Sequence, residues 1–204
     1  SCPPESVDLT SAGCSAANTF RSRSCKADCT YNPFNATCDA PPTTVNIAPT
    51  IGSVSSTIAV LTSAKVISKL TGSCPNATPS TTLTTPYTYI QVKNTLAKSA
   101  TVSIYNSVAS GGVVFDTTLA SYEGNVSPTA DAARKACDKG VGTFGTTALT
   151  GDSRFASLDN TRKVTIPAGG TVSVYVAAKK AYDATKPTES TGPVKLNVKT
   201  ETLQ

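Results

Sequence analysis

Over the last three quarters of the chain, apolar residues recur at every second position in short runs. Val102 and Ile104 alternate with Thr101, Ser103 and Tyr105; Val172, Val174 and Val176 with Thr171, Ser173 and Tyr175; Val194, Leu196 and Val198 with Lys195, Asn197 and Lys199. Period two marks a strand with one buried face, because successive side chains leave a pleated backbone on opposite sides. Similar stretches lie at Ile58–Leu61, Lys65–Leu70, Tyr87–Val92, Val113–Tyr122 and Lys163–Ile166. Turn formers separate them: Gly111-Gly112, Pro167-Ala168-Gly169-Gly170 and Thr191-Gly192-Pro193. Eight or nine strands with one polar face each predict an all-β fold, an antiparallel β-sandwich over residues 51–204.

One segment follows a different period. Ser127-Pro128 suits an N-cap and first helical position, Asp131 falls in the first turn, and Gly140 can close the C-terminus. Between them Ala130, Ala133 and Cys137 recur at helical spacing, while Arg134, Lys135 and Lys139 favour the negative end of a helix dipole. The spacing predicts one short helix in the long loop between the strands ending at Tyr122 and starting near Lys163. Upstream, residues 41–50 read as an extended connector, since prolines fix φ and bias their predecessors toward extended backbone. In Thr43–Ile51, Val45, Ile47, Pro49 and Ile51 fall on one side of an extended chain and Thr44, Asn46, Ala48 and Thr50 on the other. That is a half-buried strand, and Pro49, which cannot donate to a ladder, places it at a sheet edge or as an added strand. Two arrangements follow: pairing with its own sandwich, or completing that of a neighbour. The second makes Val45, Ile47, Pro49 and Ile51 an assembly interface.

Composition changes the picture in several ways. Hydroxyl residues are abundant, 33 Thr and 23 Ser in 204 residues, and only 15% of the chain is charged. Histidine, methionine and tryptophan are absent, which excludes any Ser-His or Cys-His nucleophile and any imidazole-ligated zinc. The missing initiator Met points to a processed N-terminus. No apolar run reaches the length of a membrane-spanning helix.

Seven cysteines stand at Cys2, Cys14, Cys25, Cys29, Cys38, Cys74 and Cys137, five of them within residues 1–40. A Cys-dense segment with few large apolar residues reads as a small disulfide-stapled unit in an oxidising compartment. Zinc is the competing reading, but only Cys25 and Cys29 show the tight spacing that zinc sites favour. A pairing of Cys74 with Cys137 leaves one spare thiol among the first five. Seven being odd, one cysteine is either a free thiol or a bridge to another molecule. Localisation is therefore expected to be secreted, extracellular or at the cell surface.

Little in the chain suggests chemistry. The acidic residues of the body are mostly isolated, and aromatic residues, the usual platforms for sugars, make up 6%. Asp116 and Asp138 are weak calcium candidates without the run of acidic residues a hard cation prefers, so no metal, cofactor or catalytic residue is expected. Residues 41–204 carry a net charge of +6, but the cations are singletons or pairs such as Lys179-Lys180, unlike the clustered, aromatic-interleaved pattern of nucleic-acid binders. Asn-x-Ser/Thr triplets begin at Asn35, Asn76 and Asn125 and are glycosylation candidates.

Residues 84–202 resemble the bacterial pre-peptidase C-terminal type of extracellular β-sandwich. The likeness rests on Phe115-Asp116-Thr117-Thr118-Leu119-Ala120-Ser121-Tyr122, Ala136-Cys137-Asp138, Val164-Thr165-Ile166-Pro167-Ala168-Gly169-Gly170-Thr171 leading into Val172–Val176, and Gly192–Val198. The resemblance implies a non-catalytic sandwich that binds surfaces or polymers. The residues and the resemblance together predict an extracellular structural protein that assembles with copies of itself into a fibre, filament or coat by strand donation or edge pairing. The alternative is a secreted polysaccharide- or polymer-binding module.

Overall fold

Each of the three long alternating runs becomes a strand. The computed structural model describes residues 43–64, 66–67, 85–112, 116–123, 134–138, 155–158 and 162–204. The chain divides into two units, Ser1–Pro42 and Thr43–Gln204, and every described residue belongs to the second.

Eleven strands are found among the described residues: β1 (Thr43–Asn46), β2 (Val54–Leu61), β3 (Val66–Ile67), β4 (Thr85–Lys93), β5 (Ala100–Val108), β6 (Thr117–Glu123), β7 (Arg134–Asp138), β8 (Ser157–Leu158), β9 (Val164–Ile166), β10 (Thr171–Ala178) and β11 (Gly192–Leu203). They form two sheets. The first runs β1-β4-β10-β6-β7, with β3 beside β1 along the same side of β4; the second runs β2-β11-β5-β8, with β9 beside β8 along β5. Every pairing is antiparallel except β1 with β4, which is parallel from Thr43 opposite Ile90 to Asn46 opposite Lys93. The antiparallel sandwich expected from the alternation is the fold.

The core lies where the sheets face each other. Ile90 and Val92 of β4, Leu119 of β6 and Val172, Val174 and Val176 of β10 meet Val102 and Ile104 of β5 and Val194, Leu196 and Val198 of β11. These are the apolar members of the alternating runs, so the period-two pattern selects the buried face. Most are β-branched, which suits a pleated surface. At one end of the sandwich Asn94 clasps two loops together. Its side-chain amide donates to the carbonyls of Lys98 (2.8 Å), Ile166 (3.0 Å) and Pro167 (3.0 Å), and its Oδ1 accepts from the Leu96 N–H (3.0 Å). At the other end, where β6 begins, the Thr117 hydroxyl accepts from the Asn106 amide and the Ala156 N–H, both at 3.0 Å, joining β6 to β5 and the approach to β8.

One expectation is corrected. Arg134–Asp138 is strand, not helix: β7 pairs antiparallel with β6, placing Cys137 opposite Ala120 and Asp138 opposite Leu119. The open edge of β6 offers a row of backbone partners, and that tertiary gain outweighs a propensity difference of a few tenths of a kcal/mol per residue. The proposed cap at Ser127-Pro128 and the Gly140 terminator lie outside the described residues. Of the two arrangements open to the connector, the single chain has the first: Thr43–Asn46 pairs within its own sandwich, as a strand of the first sheet.

Candidate assembly flank

The sandwich has two flanks, and β1 and β2 lie on the same one. β1 edges the first sheet and β2 edges the second, joined by residues 47–53. Of the four residues assigned to one apolar face, two are in the core: Val45 is 5% exposed and Ile47 3%. The Ile47 N–H continues the parallel ladder by donating to the Lys93 carbonyl (2.9 Å). Pro49 and Ile51 leave that face and are exposed, because the chain bends at Pro49 and turns over Thr50–Ser53. Gly52 has φ +84°, a left-handed conformation that a side chain would strain, and the Ser53 N–H donates to the Thr50 carbonyl to close the turn. The loop is tied to β11. The Gly52 N–H donates to the Thr200 carbonyl (2.7 Å), the Thr200 N–H to the Ser53 carbonyl (3.0 Å), and the Thr200 hydroxyl to the Ala48 carbonyl (2.8 Å).

β2 reverses the pattern seen elsewhere. Its inward residues are Ser55, Thr57, Ala59 and Leu61; its outward residues are Val54, Ser56, Ile58 and Val60. The outward set is the more apolar, with Val54, Ile58 and Val60 between 45% and 54% exposed. A strand buried on one side normally puts its larger aliphatic residues inward, since each slip of one residue would transfer the apolar set to water. β2 nevertheless keeps an unbroken register with β11 from Leu61 opposite Gly192 to Val54 opposite Lys199. An exposed aliphatic ridge is thus built into its native register.

The outward faces of the two sheets also differ. On the first sheet, Tyr175 of β10 stacks on Tyr89 of β4 (ring centroids 5.1 Å) and on Tyr87 (6.4 Å), and meets Tyr122 of β6 edge-on (5.1 Å). Tyr89, Tyr122 and Tyr175 are buried although they face away from the sandwich core. On the second sheet, β5 and β11 carry a polar ladder. The Ser103 hydroxyl donates to the Glu201 carboxylate (2.8 Å), Lys199 lies 3.3 Å from that carboxylate, and the Asn197 amide donates to the Ser107 hydroxyl (2.9 Å). Burial acts against the Glu201 charge, but Ser103, Lys199 and Lys163 together outweigh it and hold the carboxyl below its ordinary range. Burial pushes the Tyr105 hydroxyl up.

Other sequence-predicted sites are not brought together. Asp116, just before β6, is 3.7 Å from the Lys179 ammonium, and its carbonyl accepts from the Lys179 N–H (2.9 Å), a cross-strand closure rather than a cation cradle. Among the described residues no three Cys, Asp or Glu side chains form a group that could hold a metal. Cys2, Cys14, Cys25, Cys29, Cys38 and Cys74, and the acceptors Asn35, Asn76 and Asn125, lie outside the described residues; Cys137 and Asp138 are placed only through the backbone of β7. Among the described residues no helix is long and apolar enough to cross a membrane.

Sequence reasoning missed β2 as a site, and a signal for it was there. Between Asp39 and Lys65 the chain carries no charged residue, a run that spans β1, the turn and β2. Charge-free length, read together with alternation, marks the flank that either period alone leaves unremarked. No family model, curated protein or solved structure matches the chain.

Proposed function

We propose that this is an extracellular structural subunit that associates with copies of itself into a fibre or coat, and that the β1/β2 flank is where the copies meet. One observation carries the reading: β1 and β2, the longer edge strands of that flank, lie in a stretch with no charged residue, in a chain of net charge +5. Lysines and prolines on edges are the usual protection against sheet extension, and neither lies within β1 or β2. β1 also suits donation. It is short, parallel and at an edge, and together with the residue that follows it places only two side chains, those of Val45 and Ile47, in the core. A strand from a neighbour bearing the same residues can make those contacts equally well, and such head-to-tail exchange extends without closing. The cysteine-dense first 40 residues fit an oxidising exterior.

A polymer-binding module is less well supported, because Tyr89, Tyr122 and Tyr175 are buried and offer no open stacking face to a sugar. Electron microscopy of the native protein tests the proposal: filaments or large regular particles are expected, and a monodisperse monomer contradicts it. Deleting residues 43–51 should leave soluble monomers of lowered stability that regain it on adding a peptide of that sequence. Unchanged assembly after the deletion refutes strand donation.

A further inference from the structure

We infer that β2 pairs antiparallel with β2 of a second copy across a two-fold axis, joining the two five-stranded sheets into one continuous sheet. The inference rests on the self-associating reading above but does not require β1 to leave its own sheet. β2 hydrogen-bonds to β11 on one side, and no described strand pairs with its other side. Every second residue along that free side therefore presents an N–H and a C=O to water. The remaining edges among the described residues are each blunted. β3, β8 and β9 are two or three residues long, β1 is four, and β7 carries Arg134, Lys135 and Asp138. β2 is eight residues of Val-Ser-Ser-Thr-Ile-Ala-Val-Leu, with no charge, no proline and no bulge against β11. It is the long, uncharged, β-branched edge that natural sheets otherwise avoid leaving open.

The ridge of Val54, Ile58 and Val60 gives the pairing a second layer. It stands on the outward face, and edge pairing would continue it from one copy onto the other, covering side chains that are about half exposed in the single chain. Charge selects a second copy as the occupant. In a two-fold contact the residues at the axis meet their own copies, so a charge there meets its like, and like-charge juxtaposition works against such contacts. With 18 Lys and Arg against 13 Asp and Glu, two copies carry like net charge. Along β2 there is no charge to repel. An acidic or basic partner finds no complementary charge in that strand.

The test is sedimentation of the full chain over a wide concentration range, comparing native protein with Ile58→Lys, Val54→Lys and, on the opposite flank, Thr165→Lys of β9. Ile58, Val54 and Thr165 are all exposed, so melting temperatures should be unchanged. Lysine at 58, near the middle of β2, should weaken self-association by roughly a hundredfold or more, since the two-fold contact then brings two ammonium groups close together, and lysine at 54 should weaken it less, by placing a charge on an otherwise uncharged edge. Lysine at 165 should leave it as it was. Ile58→Lys and Val54→Lys proteins that sediment like native protein overturn β2 pairing. If deletion of residues 43–51 dissociates the same assemblies while lysine at 58 does not, strand donation stands and β2 pairing falls; the converse result keeps β2 pairing and removes donation. A native protein that is monomeric at every concentration overturns both.

Discussion

The two flanks of this sandwich are made from the same kind of element and treated in opposite ways. At one, β7 carries three charged residues in five, while β8 and β9 are fragments with Arg162 and Lys163 just ahead of β9. At the other, β1 and β2 are uncharged, and the longer of the two turns valine and isoleucine outward. Nothing in the requirements of a core demands that difference, because the buried alternation is equally regular through the middle of both sheets. Edge chemistry is independent of core chemistry, and it records what each edge is allowed to meet. The outward faces differ as well: one buries a tyrosine cluster, the other sets an exposed aliphatic ridge beside a largely buried polar ladder.

That contrast can be broken experimentally. The largest effect is expected at Tyr175→Ala, which removes the ring that Tyr87, Tyr89 and Tyr122 all touch and should cost about 3–5 kcal/mol in denaturant unfolding. The equivalent truncation on the other outward face, Ile58→Ala, should change unfolding by no more than about 0.5 kcal/mol. Equal losses at the two sites would erase the distinction between a covered face and an open one. Asn94→Ala leaves buried carbonyls without their donor and should cost about 2 kcal/mol, read as a lower melting temperature.

Acid titration gives a smaller effect with a definite sign. The Glu201 carboxyl is held below its ordinary value of 4.5, so the folded state binds its proton less readily than the unfolded chain does. Its contribution is complete above that value and is lost as pH falls through the lowered one. Glu201→Gln should therefore show a shallower loss of stability on acidification than native protein, with the curves converging at the acid end. The smallest effect is expected at Lys180→Ala. Its 2.9 Å contact with Glu189 is exposed to solvent, and the melting temperature should not move.

Much of the fold was legible because the core strands obey a strict period of two. Val172–Val176 and Val194–Val198 alternate without interruption, and both runs are central strands. The failures share one cause. β7 carries helix signals of local strength, yet its backbone is paired with β6 through contacts no local window contains. β8 is two residues long, too short for any period. At the assembly flank, Val45 and Ile47 were readable as an apolar face; Pro49 and Ile51 were assigned to the same face because a sequence shows no bend at Thr50–Ser53. β2 was visible as a strand, but the side it turns outward is set by its register with β11, which only the three-dimensional pairing supplies.

Amide hydrogen exchange of the native protein, measured dilute and concentrated, tests most directly whether copies meet at the uncharged flank. Protection along residues 54–61 should rise with concentration while residues 162–166 on the opposite flank stay unchanged. Concentration-dependent protection confined to residues 162–166, or none anywhere, would contradict it.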